Sequence, residues 1–213
     1  EVKLGYEKFG GETHAYSVAY DDDEIAEVLA NSDKIIFNSI GQLDRFDVAS
    51  AGHTRGLRVN PGVSTSEFDL ADPARPFSRL GEHDPAQIAA VADRITGLMF
   101  HNNCENDDFD RFADMLTLIE DRFGDTIHRM DWISLGGGIH FTGDGYPLDR
   151  LAARLKTLSD TYGVQVYLEP GEAAITGAAT LETTVLDTLH NGKNLAIVRQ
   201  VDSILHASLV ERS

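Results

Sequence analysis

The sequence predicts an α/β protein built on a parallel sheet, followed by the beginning of a smaller, mostly β unit. Three observations carry this. Short apolar runs alternate with longer segments whose apolar residues recur at helical spacing. The connections between them are short, as repeated β–α units require. After Glu172 the alternation gives way to β-branched, partly alternating sequence. A (β/α) barrel and a doubly wound sheet both satisfy the first two observations.

Along the chain, Asp22 to Ser32 carries Ile25, Val28 and Leu29 at helical spacing and leads into the strand-like run 34–39. Leu57 to Asn60 reads as a strand closed by Pro61-Gly62. Asp84-Pro85 suits an N-cap with proline at the first helical position, opening a helix to about Arg94. Thr96 to Phe100 is a strand that ends at His101. From Asp107, the residues Phe109, Phe112, Leu116, Ile119 and Phe123 form one helical stripe, with Gly124 expected to stop it. Met130 to Ile133 follows as a buried strand. Pro147 to Tyr162 is a second clear helix, stopped by Gly163, and Val164 to Tyr167 is the next strand. Finally, Thr180–Leu189 and Asn194–Val198 flank a turn containing Asn191-Gly192, a hairpin signal. About six α/β strands are counted, where a closed barrel needs about eight.

Composition narrows the function. A net charge of −17 disfavours nucleic acid and anionic membranes as partners and suits a cationic small molecule. Cys104 is the single cysteine, so no intrachain disulfide forms and a reducing compartment is expected. The N-terminal residues lack the basic and apolar regions of a signal peptide, and no run approaches a membrane span. These features predict a cytoplasmic protein.

Four features fall at the C-terminal ends of predicted strands, where parallel α/β folds gather their chemistry. Gly136-Gly137-Gly138 removes every Cβ from a strand end, so backbone N–H groups can approach an anion such as a phosphate. Glu169, before Pro170-Gly171, points a carboxylate toward the same mouth. His101 ends another strand. Arg58 lies inside an apolar run, and its permanent charge must meet a buried partner or an anion. Singly, each has a plainer explanation: a tight turn, a solvated acid, a core histidine, a structural ion pair. Together they suit pyridoxal 5'-phosphate (PLP). The glycines would take the phosphate, His101 would stack on the ring, and Glu169 would keep the pyridine nitrogen protonated. No metal-ligand set or Ser/Cys nucleophile triad competes with this arrangement.

Several strings carry a specific resemblance. Trp132 to Gly143 (Trp-Ile-Ser-Leu-Gly-Gly-Gly-Ile-His-Phe-Thr-Gly), Tyr167 to Ala173, Arg58 to Ser64, Phe68 to Pro73, Ser78 to Gly81 and Phe100 to Glu105 resemble the carboxynorspermidine (carboxyspermidine) decarboxylases. That family belongs to the alanine-racemase-like, fold type III group of PLP enzymes. The resemblance implies a TIM-like (β/α)8 barrel, incomplete here, over residues 1–172. It implies the beginning of a C-terminal β domain over 173–213. The implied activity is decarboxylation of a carboxylated polyamine to norspermidine or spermidine with release of CO2, in a homodimer when full length.

Carried over by position, Gly136, Gly137, Gly138 and Gly171 would serve the cofactor, with Gly137 and Gly138 on its phosphate. Glu169 would pair with the ring nitrogen, His101 would stack on the ring, and Arg58 would sit near it. Glu172 stands where the broader group often has arginine, as is typical of this family. None of Lys3, Lys8, Lys34, Lys156 and Lys193 matches the family's Schiff-base lysine, which lies on the first barrel strand. The partner-facing Cys/Asp loop of the β domain is also not found. The expectation is a partial copy with little activity alone, prone to aggregate through its open sheet edge. Other outcomes compatible with the sequence are a non-catalytic PLP- or polyamine-binding protein and another fold type III decarboxylase. Glu169 argues against a racemase, which wants a weaker electron sink.

Overall fold

A computed structural model describes residues 1–66, 72–178, 180 and 182–199. The Phe68–Ala71 part of one family-like string, Leu181, and the tail beyond Arg199 lie outside the described residues. The chain divides into a unit spanning Glu1–Ala174 and a second unit that begins at Ile175.

In the first unit six strands form one sheet in sequence order: β1 (His14–Tyr16), β2 (Lys34–Phe37), β3 (Thr54–Arg58), β4 (Gly97–Met99), β5 (Trp132–Ser134) and β6 (Gln165–Tyr167). Every neighbouring pair is parallel. The intervening helices are α1 (Val2–Lys8), α2 (Ile25–Ala30), α3 (Ile40–Arg45), α4 (Pro85–Ala90), α5 (Phe109–Ile127) and α6 (Leu148–Tyr162), with α7 (Gly171–Ile175) after β6. Side-chain caps fix several starts. Ser39 accepts from the Gln42 N–H, Asp84 from Ala86 ahead of Pro85, and Asp108 from Asp110 and Arg111.

The sheet is curled into a half-barrel. A flat sheet would hold β1 and β6 roughly 24 Å apart. Here the rings of His14 on β1 and Tyr167 on β6 meet with centroids 4.6 Å apart. Period-two alternation sorts the side chains. Ile35, Phe37, Leu57, Leu98 and Ile133 face outward into one core with Leu43, Ile88, Phe112, Leu116 and Phe123 from the helices. Ile36, Met99 and Trp132 face inward, with Tyr16 and Tyr167 packed against them. Trp132 needs the room that glycine leaves on the two preceding strands. A Cβ on Gly56 would stand 2.5 Å from its indole, and one on Gly97 2.0 Å.

The sequence expectations shift in places. Helix α5 passes straight through Gly124 and ends at Ile127. Gly124 is a packing position, since a Cβ there would lie 3.1 Å from the Tyr162 hydroxyl of α6. Gly163 does stop α6, in the left-handed conformation at φ 70°. The predicted 84–94 helix is α4 plus a 3-10 turn at Ala92–Arg94. The strand expected at Leu57–Asn60 is β3, which starts three residues earlier and ends two residues earlier, at Arg58. Elements α1, β1 and α3 carried too few periodic apolar residues to be read.

In the second unit β7 (Val185–Asn191) and β8 (Lys193–Val198) pair antiparallel around Gly192. The first strand of this hairpin begins later than the expected Thr180.

Candidate active site

A cavity of about 330 Å³ opens among Tyr16, Arg58, Met99, His101, Cys104 and Glu169, with Pro73, Leu80 and Asn103 completing its wall. Tyr16, Arg58 and Met99 are the last residues of β1, β3 and β4, while His101 and Glu169 lie two residues beyond β4 and β6. The cavity therefore sits at the C-terminal mouth of the half-barrel.

Arg58 is 5% exposed, and no carboxylate pairs with it among the described residues. Its Nη1 donates to the Tyr16 hydroxyl and its Nη2 to the His101 carbonyl at 3.3 Å. The guanidinium carbon also lies 5.0 Å from the centre of the Tyr16 ring. Tyr16 is held in turn by donating to Asn38 Oδ1 at 3.0 Å. A desolvated cation with only neutral partners is a receptor for an anion entering the cavity.

Burial, and then the nearby Arg58 charge, push the His101 imidazole below its ordinary value of 6.5, while the Glu169 charge opposes them. The Gly137 N–H donates to His101 Nδ1 at 3.4 Å, which assigns the imidazole proton to Nε2. The ring is thus neutral, as suits stacking on an aromatic ligand.

Glu169 is anchored at two points. Its N–H donates to the Gly136 carbonyl at 2.8 Å, and Ser134 Oγ donates to its Oε1 at 2.5 Å. The glycine run beside it is compressed from several sides. A Cβ on Gly136 (φ 69°) would lie 2.6 Å from His101 Nδ1, one on Gly137 2.4 Å from the Glu169 carbonyl oxygen, and one on Gly138 (φ 79°) 2.3 Å from the Asn103 carbonyl oxygen. The three glycines therefore already have a steric reason within the chain, and positive φ at two of them adds a conformational one. The Gly138 carbonyl accepts from the Asn106 N–H at 2.9 Å, and the Gly138 N–H makes no hydrogen bond among the described residues.

The structure thus brings Arg58, His101, Gly136, Gly137 and Glu169 to one place, with Gly138 adjoining. Gly171 starts α7 and is exposed, with its N–H donating to the Glu169 carbonyl at 2.9 Å; neither it nor Gly136, Gly137 or Gly138 lines the cavity itself. Sequence reasoning gave no role to Tyr16, Met99, Asn103 or Cys104. Tyr16 lies on the unread β1. Asn103 and Cys104 fall in one of the family-like strings, which was the available signal. No lysine lines the cavity; Lys34 is bound to Glu12, Lys156 to Asp160 and Lys3 to Glu27.

The residues fit PLP. A desolvated guanidinium, a neutral imidazole and a fixed carboxylate line one cavity, and the glycine run packs directly behind His101, Asn103 and Glu169 of its wall, with the Gly138 N–H unpartnered among the described residues. No group of three or more potential metal ligands occurs among the described residues, and no helix there is long and apolar enough to cross a membrane.

No family model matches the chain. It is 58% identical over 211 residues to the carboxynorspermidine/carboxyspermidine decarboxylase of Herminiimonas arsenicoxydans, covering 99% of this chain and 57% of that protein. It is 38% identical over 198 residues to the enzyme of that name from Campylobacter jejuni, with 93% and 52% covered. A carboxyaminopropylagmatine decarboxylase from Synechocystis is 32% identical, with 89% and 49% covered. The crystal structure of the Campylobacter jejuni carboxynorspermidine decarboxylase with norspermidine superimposes with a TM-score of 0.75, covering 93% of this chain and 51% of that one. Diaminopimelate decarboxylase from Helicobacter pylori, at 14% identity and a TM-score of 0.70, shares the fold. The chain spans about half the length of the curated relatives it matches. Sequence and fold agree that this chain is homologous to the carboxynorspermidine/carboxyspermidine decarboxylases over that half.

Proposed function

We propose that the protein carrying this chain decarboxylates carboxynorspermidine or carboxyspermidine to norspermidine or spermidine with PLP, and that the cavity at the half-barrel mouth is part of its active site. The observation that carries the proposal is the convergence of an unpaired buried cation, a neutral imidazole, a Cβ-free backbone strip and an anchored carboxylate at strand ends. The 58% identity to a protein of that activity supports it.

Bound there, PLP supplies an electron sink for the pair released when the Cα–carboxylate bond breaks. The chain's own residues do the rest. Glu169 would hold a proton on the ring nitrogen, Gly137 and Gly138 would present backbone to the phosphate, and His101 would pack its neutral ring against the cofactor. Arg58 meets an anionic group of cofactor or substrate. The net charge of −17 favours capture of a cationic polyamine. With no lysine on the cavity, the amine that anchors the cofactor comes from outside this segment, and a second copy of the protein completes the site in a homodimer.

The test is turnover by the intact protein, with and without added PLP, on carboxynorspermidine and diaminopimelate side by side. PLP-dependent release of CO2 and norspermidine is expected, with diaminopimelate left intact. Turnover of diaminopimelate alone would replace this reading with that of another decarboxylase, and PLP binding without turnover of any amine would favour a binding protein.

A further inference from the structure

We propose that Ser134 is the positioning residue of Glu169, fixing which carboxylate oxygen meets the cofactor. The inference deepens the PLP reading and rests on it. Ser134 closes β5, is fully buried, and faces the inside of the half-barrel. Its hydroxyl has one proton, and Glu169 Oε1 takes it at 2.5 Å. The serine oxygen then has only lone pairs left, and the Gly136 N–H donates into them at 3.1 Å. The polarity of the chain is therefore fixed as Gly136 N–H to Ser134 O–H to Glu169 carboxylate.

The same glycine also accepts from the Glu169 N–H at 2.8 Å, so three hydrogen bonds close a ring through Gly136, Ser134 and Glu169. Side chain and backbone of Glu169 are tied to one residue of the glycine run. Glu169 makes no other side-chain hydrogen bond among the described residues, so Oε2 is the oxygen left for a ligand. An oriented carboxylate is what a protonated ring nitrogen requires. The ring also connects the two halves of the cofactor site: a shift of the glycine run, which presents backbone to the phosphate, would move the acid that serves the ring.

The experiment uses the intact protein titrated with PLP labelled with 15N in the ring. The wild type should bind saturably with a protonated-ring 15N shift. Ser134→Ala should weaken PLP about tenfold, the value of one hydrogen bond to a charged group, and move the 15N signal toward unprotonated pyridine. Ser134→Cys, with a weaker donor of similar size, should fall between them and carries the test should the alanine variant not fold. In a Glu169→Gln background, Ser134→Ala should change PLP affinity no further. Wild-type affinity and 15N shift in both serine variants, with only the melting temperature lowered, would overturn the proposal and leave the PLP reading standing. Failure of the wild type to bind PLP would overturn both.

Discussion

Arg58 enters the cavity as a buried guanidinium whose partners are a phenol and a backbone carbonyl. A cation left so in the free protein is costly, and removing it should separate stability from function. Arg58→Met is expected to lower kcat/KM by about 10- to 100-fold, the value of a charge-assisted contact, while leaving the melting temperature unchanged or raised. Steady-state kinetics beside a thermal melt checks both halves. His101 yields a pH prediction. Its folded-state value lies below the ordinary 6.5, so below 6.5 the unfolded chain takes up a proton that the native site refuses. Its stability contribution is complete above 6.5 and is lost as pH falls from there toward the depressed value. Urea unfolding at pH 7.5 and 5.5 should show a smaller drop in Arg58-intact His101→Gln than in the wild type. Equal drops would remove His101 from the account. At this scale the sequence was legible where residue type is unusual for its place, as with arginine in an apolar strand. Tyr16, which holds that arginine, is an ordinary strand residue and gave no such signal.

Within the elements, glycine explains both what sequence reading recovers and what it loses. Gly124 reads as a helix stop because glycine is poor in helix interiors, yet α5 continues past it, held by the stripe from Phe109 to Ile127. Gly124→Ala should raise stability by up to about 1 kcal/mol, because the hydroxyl it meets is the end of a half-buried tyrosine that can yield. Gly97→Ala should lower stability by about 1–3 kcal/mol, because the indole of Trp132 is buried and has nowhere to go. Denaturant midpoints for the two variants test both signs. The long helices α5 and α6 were readable from period alone. Short α1, β1 and α3 were not, since α1 buries no residue, β1 only Ala15 and α3 only Leu43, which leaves no apolar pattern to read.

For the whole first unit, curvature decides the chemistry. A flat parallel sheet would spread Arg58, His101 and Glu169 along its edge, whereas the curled one turns them toward a single cavity. The alternation in sequence left barrel and doubly wound sheet equally open, because curl is set by contacts between strands far apart in the chain. Lys34 of β2 makes one such contact. It binds Glu12 and reaches the Tyr167 hydroxyl of β6 at 3.3 Å, over the rings of Tyr167 and Trp132. The Lys34 ammonium and the Tyr167 hydroxyl hold the Glu12 carboxyl down at about 2 from its usual 4.5. The stability from Glu12 is thus present above 4.5 and lost as pH falls toward 2. Glu12→Gln should cost up to about 1 kcal/mol at neutral pH, as expected of a partly exposed pair, and less below pH 4. Denaturant unfolding across that range checks the sign.

A crystal structure of the intact protein loaded with PLP would decide whether the cavity at the half-barrel mouth is the cofactor site. The ring nitrogen is expected on Glu169 Oε2, the phosphate against the backbone of Gly137 and Gly138, and the His101 ring on the cofactor face. PLP bound away from the mouth of the half-barrel, or its phosphate seated where no residue of the glycine run touches it, would rule out this cavity as the cofactor site.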